Sequence, residues 1–310
     1  MASPQLRPLA IGEILDVAIK ICVRNAATLA KIVVVVVAPV AVLGVVVSVA
    51  TAPEGLEPGT TGFSFSPEAQ PKLSGDDLAA FAGGAVVVGL LSLLTVVVAT
   101  GACFKAISDA YLGARPDWRA SLGFALARLR SLVWLSVLST FLVMLAFLAL
   151  IIPGIWLGVA WAVAVPVLLF EGVRGRKSLG RSFRLVRGRW WPTFGGILVG
   201  FVLAAIVGGI LGGILVGATV ASGSDDQLVG AVVNGVANML SSLITTPFQA
   251  AVSALIYYDL RVRKEGFDLE LLAERIGVQP APEAESLVAG GSAPPPGQAP
   301  PGPPPSAPTG

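Results

Sequence analysis

The chain predicts an all-α fold, a polytopic membrane helix bundle with six transmembrane helices and amphipathic helices lying at the interface. Three observations carry that prediction. Six apolar windows qualify as bilayer crossings, since about 20 mostly apolar residues cover the hydrocarbon core, although the fourth is short. Lys and Arg are confined to alternate connections between those windows. Three shorter stretches place apolar residues on one helical face and charges on the other. With 55% apolar and 13% charged residues and a mean hydropathy of +0.81, the chain is far more apolar than a soluble domain.

The windows are about 28–51, 79–103, 132–152, 155–170, 192–221 and 228–258. Of the 21 Lys and Arg residues, 20 lie up to Lys31 at the start of the first window, between the second and third, between the fourth and fifth, or after the sixth. Lys72 is the exception, and it is surrounded by Glu54, Glu57, Glu68, Asp76 and Asp77. Basic residues near span ends are retained in the cytoplasm, so both termini are expected inside, in a bacterial cell (inner) membrane. The net charge of +2 hides this asymmetry, and no nucleic-acid partner is expected.

In chain order, a first surface helix is expected over about 11–25, with Ile11, Ile14, Leu15, Ala18 and Cys22 on its apolar side. Residues 52–78, rich in Pro, Gly, Ser and Thr, read as an irregular outside loop. A second surface helix, about 117–130, carries Trp118, Leu122, Ala125, Leu126 and Leu129 on one stripe, although Phe124 falls on its polar side. Pro153-Gly154 reads as the tight turn between the third and fourth windows. Pro39, Pro166 and Pro247 fall inside windows, where each removes a helical hydrogen bond and usually kinks the helix.

The third surface helix, about 176–190, is the most basic. Leu179, Phe183, Val186 and Trp190 share one face, expected to sink to the headgroup level. Lys177, Arg181, Arg184 and Arg187 are the candidate lipid-headgroup ligands, because a cationic helix at this level meets lipid phosphates. The three surface helices, each followed by two windows, fit either a threefold repeat or chance similarity.

In the fifth window Gly196, Gly200, Gly208, Gly209, Gly212, Gly213 and Gly217 form overlapping GxxxG spacings, which suit packing inside the bundle or a homodimer seam. In the sixth, Asn234, Asn238, Ser241, Thr245 and Gln249 form a polar membrane face at i, i+4, i+7, i+11 and i+15. Polar groups in hydrocarbon need partners, so this face is either hydrogen-bonding glue between helices or the lining of a polar cavity or headgroup path. Tyr257 and Tyr258 are expected at the interface, where aromatic rings gather. Asp268 is placed to cap a short helix ending near Gly277. Residues 278–310 contain 11 prolines and five glycines and read as a disordered cytoplasmic tail, inert or a ligand for a protein partner.

No histidine occurs anywhere, which removes His-dependent hydrolysis and His-ligated metals on this chain. There is no phosphate-cradling glycine loop with its lysine, and no charged residue lies at the centre of a window. Catalysis, metal and cofactors are therefore not expected. Cys22 and Cys103 read as small apolar residues.

Several stretches in combination resemble a family of bacterial polytopic membrane proteins named after the membrane domain of some glycerophosphoryl diester phosphodiesterases. They are Arg7-Pro8 with Gly12 through Asp16, Pro153-Gly154-Ile155-Trp156 with Pro166, SFRLVRGRWW from Ser182 to Trp191, and Pro247 with YYDLRVRKEGFDLE from Tyr257. The resemblance covers about residues 5–275 and implies a membrane fold associated with lipid-headgroup metabolism, without the histidine-using catalytic domain. The function expected is a non-catalytic membrane scaffold, or a partner subunit, contacting anionic membrane lipids with a protein partner on its cytoplasmic side. The alternative is a transporter or lipid translocator using the polar face of the sixth window.

Overall fold

The computed structural model describes residues 9–51, 56–59, 62–65, 75–173, 175–222 and 227–266. Among these, ten helices and one two-stranded hairpin are formed. The expected helix near Gly277 and the tail 278–310 lie outside the described residues.

Six helical segments are long and apolar enough to cross a bilayer: Ala26–Thr51, Ala79–Tyr111, Leu129–Ala149, Ile151–Glu171, Trp190–Leu215 and Leu228–Glu265. They match the six windows in number and order. Short amphipathic helices precede the first, third and fifth. These are α1 (Ile11–Arg24) before α2 (Ala26–Thr51), α4 (Trp118–Ala127) before α5 (Leu129–Ala149), and α8 (Arg176–Val186) before α9 (Trp190–Ser222). The first two junctions are single residues with nearly the same backbone, Asn25 at φ −113° and ψ 20° and Arg128 at φ −108° and ψ 9°. The third spans three residues and turns at Gly188, whose φ of +86° favours glycine. Asp117 caps α4 by accepting from the Ala120 N–H at 3.1 Å, and the Glu13 carboxylate closes the start of α1 on the Ala10 N–H at 3.0 Å.

Two expectations about the connections change, those for Pro153 and for the outside loop. Pro153 is not in a turn; it sits in the first turn of α6 (Ile151–Ala160), and Leu150 alone breaks the chain after α5. A proline there costs nothing, because first-turn N–H groups have no helical acceptor. The fourth span divides into α6 and α7 (Ala164–Glu171) at residues 161–163, just before Pro166, whereas α2 and α10 (Gln227–Glu265) continue through Pro39 and Pro247. Within the expected irregular loop, β1 (Leu56–Gly59) pairs antiparallel with β2 (Gly62–Phe65), in the register Leu56 to Phe65 and Gly59 to Gly62.

The helix α3 (Gly75–Tyr111) starts before and ends after its apolar window. At 37 residues it is about 55 Å long, well over the bilayer core of about 30 Å. The 39-residue α10 is of similar reach and packs against α9, α2, α3 and α1. Buried residues concentrate where these long helices pass the ends of the others: Val97 to Ile107 of α3, Val163 to Leu169 in the fourth span, and Ala250 to Val262 of α10. Toward the other end apolar side chains face outward, with Leu148 and Ile152 83% and 79% exposed. A bilayer covers such surface; water does not.

Candidate functional site

With six crossings, the start of the first, third and fifth spans and the end of the second, fourth and sixth share one end of the bundle. Almost every basic residue is there, and the structure divides them into two sets.

The first set is inside the protein, around the segment Tyr257 to Glu265. Asp259 accepts the Leu9 N–H at 2.8 Å, and both of its carboxylate oxygens accept from Arg263 Nε, at 2.8 and 2.9 Å. Arg263 Nη2 in turn donates to the Leu9 carbonyl at 2.9 Å, closing a ring between the start of the described chain and α10. Glu171, the lone acid of a strongly basic stretch, accepts from Arg181 Nε at 2.8 Å and from the Tyr257 hydroxyl at 3.1 Å. Arg181 Nη2 also meets Glu265 at 2.5 Å, and Glu265 pairs with Arg261. Ser108 and Tyr258 hydroxyls share a hydrogen bond of 2.5 Å, while Lys105 pairs with Asp109. Tyr257 and Tyr258 are thus buried and hydrogen-bonded rather than set at a lipid interface, because α3, α7 and α10 converge on them.

The helix α8 holds the second set. Ser178, Leu179, Ser182, Leu185 and Val186 are buried against the bundle, with the Ser182 hydroxyl donating to the Ala160 carbonyl at 2.8 Å. Phe183 meets Trp156 edge-on at 5.5 Å between ring centres. The apolar face expected to sink into lipid is therefore occupied by protein. Of the candidate headgroup ligands, Lys177, Arg184 and Arg187 are exposed, and Arg181 is turned inward onto its two carboxylates. Burial lowers the pKa of Arg181, but hydrogen bonds to Glu171 and Glu265 outweigh it and hold the guanidinium above its ordinary value. Lys264 donates to the carbonyls of Arg184, at 2.8 Å, and of Arg187, pinning the end of α8 to α10.

The polar face of α10 divides differently. Ser241 donates to the Gly208 carbonyl of α9 at 3.1 Å, and Thr245 to the Ser241 carbonyl at 2.9 Å. That half is glue. Asn238 Nδ2 donates to Asn234, to its side-chain oxygen at 2.6 Å and its carbonyl at 2.9 Å. Both asparagines line a cavity of about 450 Å³ between α2, α3 and α10, into which Ser48, Ser92 and Thr95 also face. Thr95 bonds back to its own helix, while the Ser48 and Ser92 hydroxyls make no hydrogen bond among the described residues. Gln249 is half-buried and likewise makes none. Single serines in apolar helices carry no periodic signal, so Ser48 and Ser92 could not have been picked out from the sequence.

Asp16 and Lys20 form an exposed ion pair of 2.7 Å on α1. Burial pushes the Cys22 thiol up to about 11, in keeping with an apolar role. Among the described residues no group of three or more His, Cys, Asp or Glu could hold a metal ion.

Residues 121–281, just over half of the chain, match a family model described as Domain of unknown function (DUF8558). No curated protein matches the chain. No solved structure matches it either.

Proposed function

We propose that this chain, which belongs to the DUF8558 family, is a non-catalytic membrane scaffold or partner subunit whose basic end contacts anionic lipid. One observation carries this reading. The carboxylates described at that end are all committed, Glu13 and Asp117 to helix starts and Asp16, Asp109, Glu171, Asp259 and Glu265 to ion pairs, whereas Lys177, Arg184 and Arg187 meet no carboxylate among the described residues. The exposed surplus is cationic, and lipid phosphate is the counter-charge that a bilayer presents at that level. In this reading the basic end is cytoplasmic in a bacterial inner membrane, with both termini on that side, where a protein partner would bind. The similarity to the membrane domain of glycerophosphoryl diester phosphodiesterases is then that of a membrane part without hydrolytic machinery.

The test is electron spin resonance of spin-labelled lipids around the reconstituted full chain. Phosphatidylglycerol is expected to be preferred over phosphatidylcholine in the boundary shell. The triple variant Lys177→Gln, Arg184→Gln, Arg187→Gln is expected to lower that preference about threefold or more, since each cation near the surface contributes on the order of 1 kcal/mol. Raising the salt to about 1 M, where the screening length is about 3 Å, is expected to do the same to the parent chain. An unchanged preference in the triple variant sinks the reading.

The cavity between α2, α3 and α10 favours a second reading, a transporter or lipid translocator. Asn234 and Asn238 face it from one side and Ser48 and Ser92 from others, a set of uncharged hydrogen-bonding groups in an otherwise apolar wall. Here Asn238→Leu is expected to abolish any flux of small polar solutes or lipid headgroups measured in proteoliposomes. It should leave thermal stability within about 1 kcal/mol, since the Asn238 amide bonds back to Asn234 within α10 and ties no second helix. A parent chain that moves none of the solutes or lipids screened ends this second reading.

A further inference from the structure

We infer that the groove at the junction of α4 and α5 binds one bilayer phospholipid with an anionic headgroup. The inference rests on the reading that the basic end meets anionic lipid, but it uses residues apart from the exposed cations of α8. The groove has a volume of about 1030 Å³, at the upper end of the range for bound small molecules. Arg128 and Arg130 lie at one end of its lining. Leu94 of α3 and Val133, Trp134 and Val137 of α5 supply an apolar wall. From Arg130 to Val137 that wall runs seven residues along α5, about 10 Å, from the level of the basic residues into the span.

The charges at the mouth have no internal counterpart. Asp109 is held by Lys105 at 2.5 Å and Asp117 caps α4, so neither reaches the arginines, and neither arginine has a carboxylate partner among the described residues. Arg128 lies over the Phe124 ring at 3.9 Å, which orients its guanidinium without neutralising it. This also accounts for an aromatic residue on the polar side of α4. Trp134 is 59% exposed within the groove, as rings at a bilayer interface are.

Cations at one end and hydrocarbon at the other describe an amphiphile with a single anionic head. A free phosphate would leave the apolar wall without a partner, and an apolar helix of another protein would leave both guanidinium groups unmatched. A phospholipid satisfies both ends, and bidentate arginine contacts suit its phosphate.

The experiment is native mass spectrometry of the full chain, released from nanodiscs containing equal phosphatidylglycerol and phosphatidylcholine. The parent is expected to retain one phosphatidylglycerol. The double variant Arg128→Gln, Arg130→Gln is expected to lose about tenfold or more of that occupancy, with Arg128→Lys, Arg130→Lys keeping part of it. Val137→Trp, which fills the groove without touching its charge, should also expel the lipid. The α8 triple variant should retain it, so failure of this site and failure of the α8 reading give different patterns. Millimolar inorganic phosphate should not displace the lipid; displacement would mark an ion site instead. Equal retention of both lipids, no retained lipid in the parent, a second copy of the chain found cross-linked at Val137, or full occupancy in the double variant would each overturn the inference.

Discussion

Replacing Asp259 with Ala lowers the midpoint of thermal unfolding in detergent by about 5–10 °C, corresponding to about 2–3 kcal/mol. The reason is geometric. Asp259 is buried and accepts the Leu9 N–H and, shared between its two oxygens, the Nε–H of Arg263, which itself reaches back to the Leu9 carbonyl. Removing the carboxylate leaves the Arg263 guanidinium only partly in solvent with no counter-charge, and breaks the ring that ties Leu9 to α10. Asp259→Asn preserves one acceptor and should recover part of the loss. Tyr257→Phe removes a single hydrogen bond to Glu171, so about 1 kcal/mol is expected. Asp16→Asn, which breaks an exposed pair on α1, should shift the midpoint by 1 °C or so at most. If Asp259→Ala behaves like Asp16→Asn, the buried ring does not hold the basic end together.

That ring shows where the sequence is legible and where it is not. Spans are legible because hydrocarbon imposes a length and a composition on every window, and all six windows reappear as apolar helices. The ends of the spans are not, because the hydropathy signal stops at the membrane while the helix does not. Residues 104–111 continue α3 because Lys105 pairs with Asp109 and Ser108 meets Tyr258, contacts that no window average registers. Amphipathicity has a similar limit. It shows that one face of α8 is apolar, and Leu179 and Val186 are indeed buried, but it does not say whether lipid or protein covers that face. Protein wins here, since Ser178 and Ser182 on the same side are small enough for close approach and the Ser182 hydroxyl finds the Ala160 carbonyl.

The candidate site follows the same logic. Exposure of Lys177 and Arg184 could be read from a helical projection, but the inward turn of Arg181 depends on Glu171 and Glu265, ten residues before it and 84 after it in the chain. The polar face of α10 was visible as a stripe, yet its division into glue at Ser241 and a cavity at Asn234 and Asn238 is decided by neighbours. The α9 backbone lies against the first, while a cavity also lined by α2 and α3 lies against the second.

The glycines of α9 lead to the second large effect, a loss of about 3 kcal/mol on replacing Gly200 with Leu. A Cβ at Gly200 would lie 3.0 Å from Val252 Cγ1 and 3.2 Å from its Cγ2, and one at Gly196 would lie 3.2 Å from Ile256 Cδ1. Val252 is buried on α10 and β-branched, so it cannot rotate away cheaply, and the remaining side-chain atoms of leucine would force the two helices apart. The bond from Ser241 to the Gly208 carbonyl depends on the same close approach and would be strained or lost with it. Gly209 and Gly213 have open space where a Cβ would go, so in an isolated chain Gly209→Leu and Gly213→Leu cost little. The four glycines therefore separate the two meanings of the GxxxG spacing. Thermal unfolding of Gly200→Leu reads packing inside the bundle, and cross-linking of Gly209→Leu, Gly213→Leu in native membranes reads a homodimer seam. Loss of a dimer in the second variant with unchanged unfolding would place the seam on the outer face of α9. An unfolding midpoint in Gly200→Leu equal to that of the parent would mean that α9 and α10 are not held by their glycine contact.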